Sequence, residues 1–445
     1  MTPETQQSGF TPPHLAGSSR KHTNTVAPDT GGAGFTGLGI APQLLDALDK
    51  LKFTTPTPVQ KQSIPIGIEG KDLIAIAQTG TGKTLAFGIP VIQRLAQVKG
   101  RGLILLPTRE LAIQVDESLQ AIGRTIGLRT AVLIGGASMH VQRQHLQRKP
   151  HVIIATPGRL LDHVEQRMVS LSDIRILILD EADRMLDMGF APQIKRIFAV
   201  LPTERQTMLF SATMPQEIVT IAQKHMKIPL RVEIARAGTA ADKVTQEVFF
   251  IAKEAKVRLL EALLTQYPGS VLVFTRTKHA ARKLAGYVKT MGHAAADIHS
   301  DRSLAQRRQA LEGFKTGRYR VLVATDIAAR GIDVTGIELV VNFDLPMNTQ
   351  DYVHRIGRTG RAGRSGRAIS FATFDQRRDV RDIERLIRTQ LPIKPTPELP
   401  PARAHEPEMP PDRQQRQPHA WPARRPMAGG RGGGFRGGQR RGRGR

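Results

Sequence analysis

The sequence predicts an α/β fold with two parallel-sheet lobes, which are joined by a short linker and flanked by disordered tails. The main observation is that short apolar runs alternate with longer amphipathic stretches, and both halves of the chain repeat this pattern. Such alternation is typical of parallel sheets built from βαβ units. The length of 445 residues accommodates two large lobes with tails, and 40% hydrophobic residues suffice for packed cores.

The first lobe is predicted at 35–233, the linker at 234–243 and the second lobe at 244–390. The strands predicted in the first lobe are Leu73–Ala77, Leu103–Leu106, Ala131–Ile134, Val152–Ala155, Ile174–Leu179 and Met208–Phe210. Those predicted in the second lobe are Val248–Ile251, Val271–Phe274, Val321–Ala324, Leu339–Val341 and Ala368–Phe371. Ligands of parallel sheets bind beyond the carboxyl ends of the strands, so we expect the functional residues directly after these runs.

The formal net charge of +26 is distributed unevenly along the chain. The predicted N-terminal tail, 1–34, is neutral, whereas 401–445 contains eleven arginines against three acidic residues. The segment 35–233 has 24 basic against 17 acidic residues, and 234–400 has 28 against 17. This excess favours a polyanionic partner, the alternative being that the charge serves solubility alone.

Several protein classes are excluded by composition. The absence of cysteine excludes a disulfide framework, thiolate metal sites and thiol nucleophiles. No apolar run approaches the ~18 residues of a membrane span, and the polar start does not resemble a signal peptide. We therefore expect a cytoplasmic protein with no membrane partner.

A Gly-rich loop follows the first predicted strand and opens a helical stretch. It contains Ala77, Gln78, Thr79, Gly80, Thr81, Gly82, Lys83 and Thr84, and it matches a Walker A loop in which Ala77 replaces the first Gly. Its glycines allow backbone N–H groups to close around phosphate oxygens at a helix N-terminus. Lys83 would then reach the β/γ-phosphates and Thr84 would ligate Mg²⁺, whereas the alternative is a simple connecting turn.

An acidic cluster ends the predicted strand Ile174–Leu179. Here Asp180 would hold Mg²⁺, and Glu181 would orient or deprotonate the attacking water. Alone, such a cluster is more often a solvated turn or a helix cap. Its combination with the Lys83 loop in the same half favours a nucleotide site.

The tetrapeptide Asp180–Asp183 resembles the signature of the DEAD-box ATP-dependent RNA helicases, and the resemblance covers roughly 35–390. Further matching motifs are Pro107–Leu111, Gly135–Gly136, Thr156–Arg159, Ser211–Thr213, Ala324–Asp333 and His354–Arg361. The pattern is most similar to the bacterial RhlE-type branch. The resemblance implies two RecA-like lobes, ATP and Mg²⁺ as cofactors, and RNA as the partner.

The segment Phe53–Gln60 resembles the Q motif of this family. The resemblance implies that Gln60 reads adenine, that Phe53 stacks on the base, and that Phe35 is the isolated upstream aromatic. An amide suits this task because it both donates and accepts hydrogen bonds. Lys52 stands where the family usually has Gly.

The resemblance also implies catalytic residues in the second lobe. Arg358 and Arg361 would be arginine fingers, a device worth ~10³–10⁵ in rate, while His354 and Arg355 would organise the interface between the lobes. Two further residues, Gly331 and Asp333, would approach the ribose and phosphates. Ser211, Thr213 and Asp183 resemble the motif that couples hydrolysis to RNA separation.

The predicted RNA contacts lie at strand ends. They are Thr108, Arg109, Gly135, Gly136, Thr156 and Arg159 in the first lobe, and Arg276, Thr277 and Thr325 in the second. Small residues let a phosphate backbone approach, and the lack of stacking aromatics predicts sequence-independent binding. The family contacts 2′-hydroxyls, so the resemblance favours RNA over DNA. Leu304 and Arg307 stand where the family usually has a Gln-x-x-Arg pair, which puts a contact to RNA or to the other lobe in question.

The last segment, 391–445, is predicted to be a disordered basic tail. Residues 429–445 contain nine Gly and six Arg, which favours a non-specific RNA tether over a solubilising tail. The predicted function is an ATP-dependent RNA helicase with a monomeric core, which locally separates short duplexes or remodels RNA–protein complexes. An ATP-independent RNA chaperone and a DNA translocase are the alternatives, and both ribosome assembly and RNA decay stay open as settings.

Overall fold

The computed structural model describes residues 34–78, 80–234, 244–329, 334, 336–360 and 365–401. These residues form two separate parallel sheets, one in each half of the chain. The predicted α/β class with two lobes is therefore confirmed. Within the described ranges, no helix is both long and apolar enough to cross a membrane.

The first lobe contains seven strands in the described residues. They are β1 (Leu73–Ile76), β2 (Arg101–Leu105), β3 (Thr130–Leu133), β4 (Val152–Ala155), β5 (Ile174–Leu179), β6 (Gln206–Ser211) and β7 (Leu230–Glu233). Their order in the sheet is β3-β4-β2-β5-β6-β1-β7, and every pair is parallel. The helices are α1 (Pro42–Lys50), α2 (Pro58–Ile68), α3 (Lys83–Leu95), α4 (Arg109–Gly123), α5 (Met139–Gln147), α6 (Pro157–Glu165), α7 (Ala182–Asp187), α8 (Ala191–Val200) and α9 (Gln216–His225).

Both faces of this sheet are covered. Leu73 and Ala75 of β1 pack into one apolar cluster, whereas Ile74 between them packs into a second cluster on the opposite face. Because successive side chains of a strand point to opposite faces, a strand buried on both sides must be apolar throughout. This is why the central strands are readable as short apolar runs.

The second lobe contains six strands in the described residues. They are β8 (Val244–Phe250), β9 (Val271–Phe274), β10 (Ala295–Ile298), β11 (Val321–Ala324), β12 (Leu339–Asn342) and β13 (Gly366–Ala372). Their order is β10-β11-β9-β12-β13-β8, again with every pair parallel. The helices are α10 (Lys256–Gln266), α11 (Lys278–Thr290), α12 (Leu304–Lys315), α13 (Asp326–Ala329), α14 (Thr349–Ile356) and α15 (Arg377–Ile387).

The second lobe extends beyond its predicted end at residue 390. The Val248 amide donates to the Pro392 carbonyl (3.0 Å), the Lys394 amide donates to the Val248 carbonyl (3.0 Å), and Leu391 is buried. Residues 391–394 therefore belong to the lobe and not to the tail, because they pair with β8. Of the predicted tails and linker, 1–33, 235–243 and 402–445 lie outside the described residues.

Candidate nucleotide and RNA site

The Gly-rich loop connects β1 to α3. Gly80 and Gly82 have φ angles of 85° and 87°, a left-handed conformation that favours glycine. Lys83 is buried, and its Nζ donates to the Ala77 carbonyl (3.1 Å) on the opposite side of the loop. The loop thus folds around a buried ammonium group, as expected of a phosphate-binding loop.

Gln60 connects the predicted adenine-reading segment to this loop. Its Oε1 accepts from the Thr57 amide (2.8 Å) and its Nε2 donates to the Gly82 carbonyl (3.0 Å). A Cβ at Gly82 would lie 2.4 Å from this Nε2, so the close approach requires glycine. The side chain that the sequence assigns to adenine is therefore also a structural support of the loop.

The two predicted aromatic contacts differ in exposure. Phe53 is 42% exposed and its ring is accessible for stacking, whereas Phe35 is 5% exposed and packs into the core of the first lobe. The stacking role of Phe53 and the assignment of Phe35 as the upstream aromatic of the motif both stay predictions. Lys52 has a φ of 61°, which explains why glycine suits this position.

Asp180 lies directly after β5, where it faces Lys83. The Lys83 Nζ lies 3.9 Å from the Asp180 Oδ1, and both side chains are buried. Burial raises the pKa of the Asp180 carboxyl to about 6, although the Lys83 ammonium opposes this shift. A buried carboxylate has lost its hydration, so a bound cation that replaces the missing water stabilises its charged form strongly.

The residues present fit Mg²⁺ bound together with nucleotide phosphates. Among the described residues no group of three or more His, Asp or Glu side chains could hold a metal alone. Mg²⁺ usually takes one or two protein oxygens and completes its shell with phosphates and waters. The Asp180 carboxylate and the Thr84 hydroxyl supply such hard oxygen donors.

Glu181 follows in a left-handed conformation, with φ 50° and ψ 49°. Its carboxylate is buried and pairs with Arg184, whose Nη1 donates to the Glu181 Oε2 (2.8 Å). The Arg184 Nη2 lies 2.9 Å from the Nδ1 of His354, which belongs to the second lobe. The predicted base and the predicted interface histidine are thus connected through Arg184, which sequence reasoning missed.

Asp183 joins the acidic cluster to the end of β6. Its Oδ2 accepts from the amides of Ala212 (3.1 Å) and Thr213 (2.8 Å) and from the Thr213 hydroxyl (3.0 Å). The Asp183 amide in turn donates to the Ser211 hydroxyl (3.2 Å). The segments predicted to couple hydrolysis to RNA separation are therefore held together by four hydrogen bonds.

In the second lobe, His354 lies in the last turn of α14 and Arg358 follows the helix. Arg358 is buried, with its Nε donating to the His354 carbonyl (3.2 Å). The Arg355 guanidinium donates two hydrogen bonds to Asp326 (2.5 and 2.7 Å) inside the second lobe, and its predicted role at the interface stays a prediction. Four further predicted site residues lie outside the described residues, namely Thr79, Gly331, Asp333 and Arg361.

The predicted RNA contacts of the first lobe form two groups. Arg109 lies over Gly135 and Gly136, and a Cβ at Gly136 would be 2.4 Å from its Nη1. The Arg159 Nη1 donates to the Ala137 carbonyl (3.0 Å), which lies next to this glycine pair. Thr108 and Thr156 are the N-caps of α4 and α6. Two guanidinium groups and two helix N-termini, which attract anions, therefore surround one loop.

The second lobe places its predicted RNA contacts at the ends of neighbouring strands. Arg276 and Thr277 follow β9, and Thr277 caps α11 by accepting from the Ala280 amide (3.1 Å). Thr325 follows β11, which pairs with β9 in parallel. The three residues therefore lie at the same edge of the sheet, as the sequence predicts.

Leu304 and Arg307 both contact the first lobe. The Arg307 Nε lies 2.8 Å from the Glu110 Oε1, and both side chains are less than a tenth exposed. Leu304 packs against the apolar core of the first lobe. The contact to the other lobe that the sequence left in question is therefore present, with an apolar side chain where an amide was expected.

Comparison with known proteins identifies the class. Residues 57–221 match the DEAD/DEAH box helicase family, and residues 255–363 match the helicase conserved C-terminal domain. The two matches coincide with the two lobes and include the phosphate loop, the acidic cluster and His354. The chain belongs to the DEAD-box family of ATP-dependent RNA helicases.

Individual relatives agree with this assignment. The chain is 42% identical over 368 residues to the ATP-dependent rRNA helicase RRP3 of Debaryomyces hansenii, covering 82% of this chain and 77% of the relative. It is 41% identical over 356 residues to the ATP-dependent RNA helicase DbpA of Bacillus subtilis, covering 79% and 74%.

Solved structures agree as well. S. cerevisiae Dbp5 bound to RNA and ADP BeF3 is similar with a TM-score of 0.75 and 32% identity, over 82% of this chain and 96% of that chain. Mss116p bound to ssRNA and AMP-PNP is similar with a TM-score of 0.74 and 27% identity, over 81% and 78%. The chain is thus similar in fold to two proteins whose structures contain RNA together with ADP BeF3 or AMP-PNP.

Proposed function

We propose that this chain hydrolyses ATP when RNA is bound and uses the cycle to separate short duplexes or to remodel RNA–protein complexes. The observation that carries the proposal is the contact between the lobes at the acidic cluster, where Arg184 contacts both Glu181 and His354. A site divided between two lobes is complete only when they meet, so RNA bound across both lobes can control hydrolysis.

Within this proposal each residue near the nucleotide has a role. Lys83 neutralises the β/γ-phosphates, and Glu181 takes the proton of the attacking water. Arg358 and Arg361 stabilise the charge on the phosphoryl group, and His354 aligns the second lobe. Asp180 and Thr84 would hold Mg²⁺, which would supply positive charge at the phosphate oxygens.

The proposed RNA grip is independent of sequence. Arg109 and Arg159 in the first lobe and Arg276 in the second contact phosphates, while hydroxyl and glycine positions permit close approach of the backbone. The names of the RRP3 relatives favour structured ribosomal RNA as one substrate and ribosome assembly as one setting.

Placement in the RhlE-type branch rests on the motifs alone, because the relatives reported above carry other names. The cytoplasmic location and the monomeric core stay predictions.

Hydrolysis measured with single-stranded RNA, duplex RNA, single-stranded DNA and no nucleic acid tests the proposal. We expect stimulation by RNA and loss of that stimulated rate in Lys83→Ala and Glu181→Gln. Lys195→Ala on the exposed face of α8 is the matched control and should keep full activity.

Each alternative has its own signature when duplex separation is measured beside hydrolysis. Equal stimulation by DNA would favour a DNA translocase. Duplex separation by Lys83→Ala without hydrolysis would favour an ATP-independent chaperone. Normal turnover by Glu181→Gln would remove that residue from the role of base.

A further inference from the structure

Arg184 is a cation buried at the junction of the two lobes. It belongs to the first lobe, is 1% exposed, and is among the largest fully buried side chains of the described residues. Its two terminal nitrogens are directed to different lobes, with Nη1 on the Glu181 carboxylate (2.8 Å) and Nη2 on the His354 ring (2.9 Å). One guanidinium group therefore contacts the proposed base and the second lobe at once.

The hydrogen-bonding capacity of the Arg184 guanidinium determines which nitrogen of the His354 ring carries the proton. A guanidinium group only donates hydrogen bonds, so the Nδ1 of His354 must be the acceptor. The ring is then neutral and carries its proton on Nε2. The contact from Arg184 to His354 is therefore directional, and it exists only while the second lobe presents Nδ1 to the first.

The backbone beneath this contact is unusual. Glu181 adopts the left-handed region (φ 50°) although it is neither glycine nor asparagine, a conformation that L side chains rarely adopt. Such conformations persist where surrounding contacts hold them, and they concentrate at functional sites. The Glu181 carboxylate is thus directed by a strained backbone and held at Oε2 by Arg184.

We propose that Arg184 is a positioning residue that makes the orientation of Glu181 depend on the second lobe; this rests on the proposed role of Glu181 as the base. When His354 is in place, the Glu181–Arg184 pair is dry and both partners are fixed. When the second lobe withdraws, water reaches the pair, and a solvated ion pair holds its geometry weakly. Lobe closure then activates the base as well as delivering the arginine fingers.

Kinetics of RNA-stimulated hydrolysis distinguish positioning from nucleotide binding. We expect Arg184→Ala to lower kcat by at least about tenfold while KM for ATP changes less than about threefold, because the guanidinium group orients the base and does not hold the nucleotide. Arg184→Lys should recover part of kcat, since an ammonium group can pair with Glu181 but cannot reach both partners in a fork. The matched control is Arg175→Ala, at the start of the same β5 strand, which should leave both constants unchanged.

A double-mutant cycle with His354 tests the coupling between the lobes. His354→Ala should lower kcat in the wild-type background but change it less than about twofold in the Arg184→Lys background, because the ammonium group there no longer reaches the His354 ring. Multiplicative decreases would overturn the proposal, as would an Arg184→Ala protein with a raised KM and normal kcat. If Arg184→Ala does not fold, as judged by its thermal transition, the cycle built on Arg184→Lys decides.

The variant Glu181→Gln separates this inference from the function on which it rests. An inactive Glu181→Gln protein, combined with the expected non-multiplicative outcome of the Arg184→Lys/His354→Ala cycle, confirms both statements. An inactive Glu181→Gln protein with an Arg184→Ala kcat within twofold of wild type overturns only the role of Arg184. A Glu181→Gln protein with full turnover overturns the base and the positioning role together.

Discussion

Removing the guanidinium group of Arg307 tests whether the contact between the lobes is stabilised by a buried charge pair. The Arg307 Nε and the Glu110 Oε1 are 2.8 Å apart, and the two side chains are 7% and 3% exposed. Deleting one partner of such a pair leaves an uncompensated buried charge, which costs about 3–5 kcal/mol. The substitution Arg307→Ala therefore makes the arrangement that buries Glu110 unfavourable.

The least costly response is separation of the lobes, since Glu110 regains water without unfolding either lobe. A change of about 3 kcal/mol corresponds to roughly a hundredfold change in the equilibrium between joined and separated lobes. The free energy of unfolding of each lobe should change much less. The expected effect is thus a shift in lobe distance and not a loss of structure.

Single-pair energy transfer measures this distance directly. The chain has no cysteine, so two dyes can be attached after Lys195→Cys in the first lobe and Lys289→Cys in the second, both at exposed positions. The matched control is Arg308→Ala, which removes a neighbouring pair with Glu117 that is more than half exposed and 3.9 Å long. That pair should contribute less than about 1 kcal/mol.

Two results would refute this reasoning. The first is an Arg307→Ala protein whose distance distribution equals that of Arg308→Ala. The second is a double variant Arg307→Met/Glu110→Leu that separates as fully as the single variant, because removing both charges should restore much of the contact.

Three further predictions concern stability and RNA affinity. Burial raises the pKa of Asp180 from 3.8 to about 6, so between these pH values the native protein keeps a proton that the unfolded chain releases. The contribution of this group to the free energy of unfolding is therefore full below about pH 4 and is lost as the pH rises through 6. In urea titrations without nucleotide or Mg²⁺, Asp180→Asn should flatten the dependence of that free energy on pH. Ile228 is a β-branched residue at φ 43° and is 88% exposed, so Ile228→Gly should raise the unfolding free energy by about 1 kcal/mol, and a decrease would contradict the assigned strain. Deleting 402–445 should weaken RNA binding and reduce the salt slope by about 0.7 for each phosphate that the tail would otherwise neutralise, whereas an unchanged slope would leave the tail a solubility role.

The sequence predicts most of the fold because central parallel strands are apolar on both faces. Strands that are not apolar on both faces are missing from the prediction. β7 alternates apolar with charged residues since it is an edge strand with Arg231 and Glu233 exposed. β10 contains Asp297, which is buried through its pairs with Arg302 and His299, so the strand does not appear as an apolar run.

The sequence predicts those parts of the candidate site whose residues come directly after a strand. The loop at Lys83 and the acids from Asp180 onward lie directly after strands, and local sequence carries their signal. Arg184 and Glu110 could not be assigned in this way, because a charged residue on a helix is normally solvated and only the other lobe explains its burial. Arg355 is a basic residue of a functional motif whose ion pair with Asp326 lies inside its own lobe, and local sequence does not reveal that partner.

The apolar contact of Leu304 with the core of the first lobe has a consequence for temperature. Hydrophobic contacts weaken on cooling, whereas an amide at this position would contribute a hydrogen bond whose strength changes little over the same range. Salt screens exposed charges but buried pairs much less, so it should leave both the Leu304 contact and the buried Arg307–Glu110 pair largely intact. The joining of the two lobes should therefore tolerate high salt and fail first in the cold.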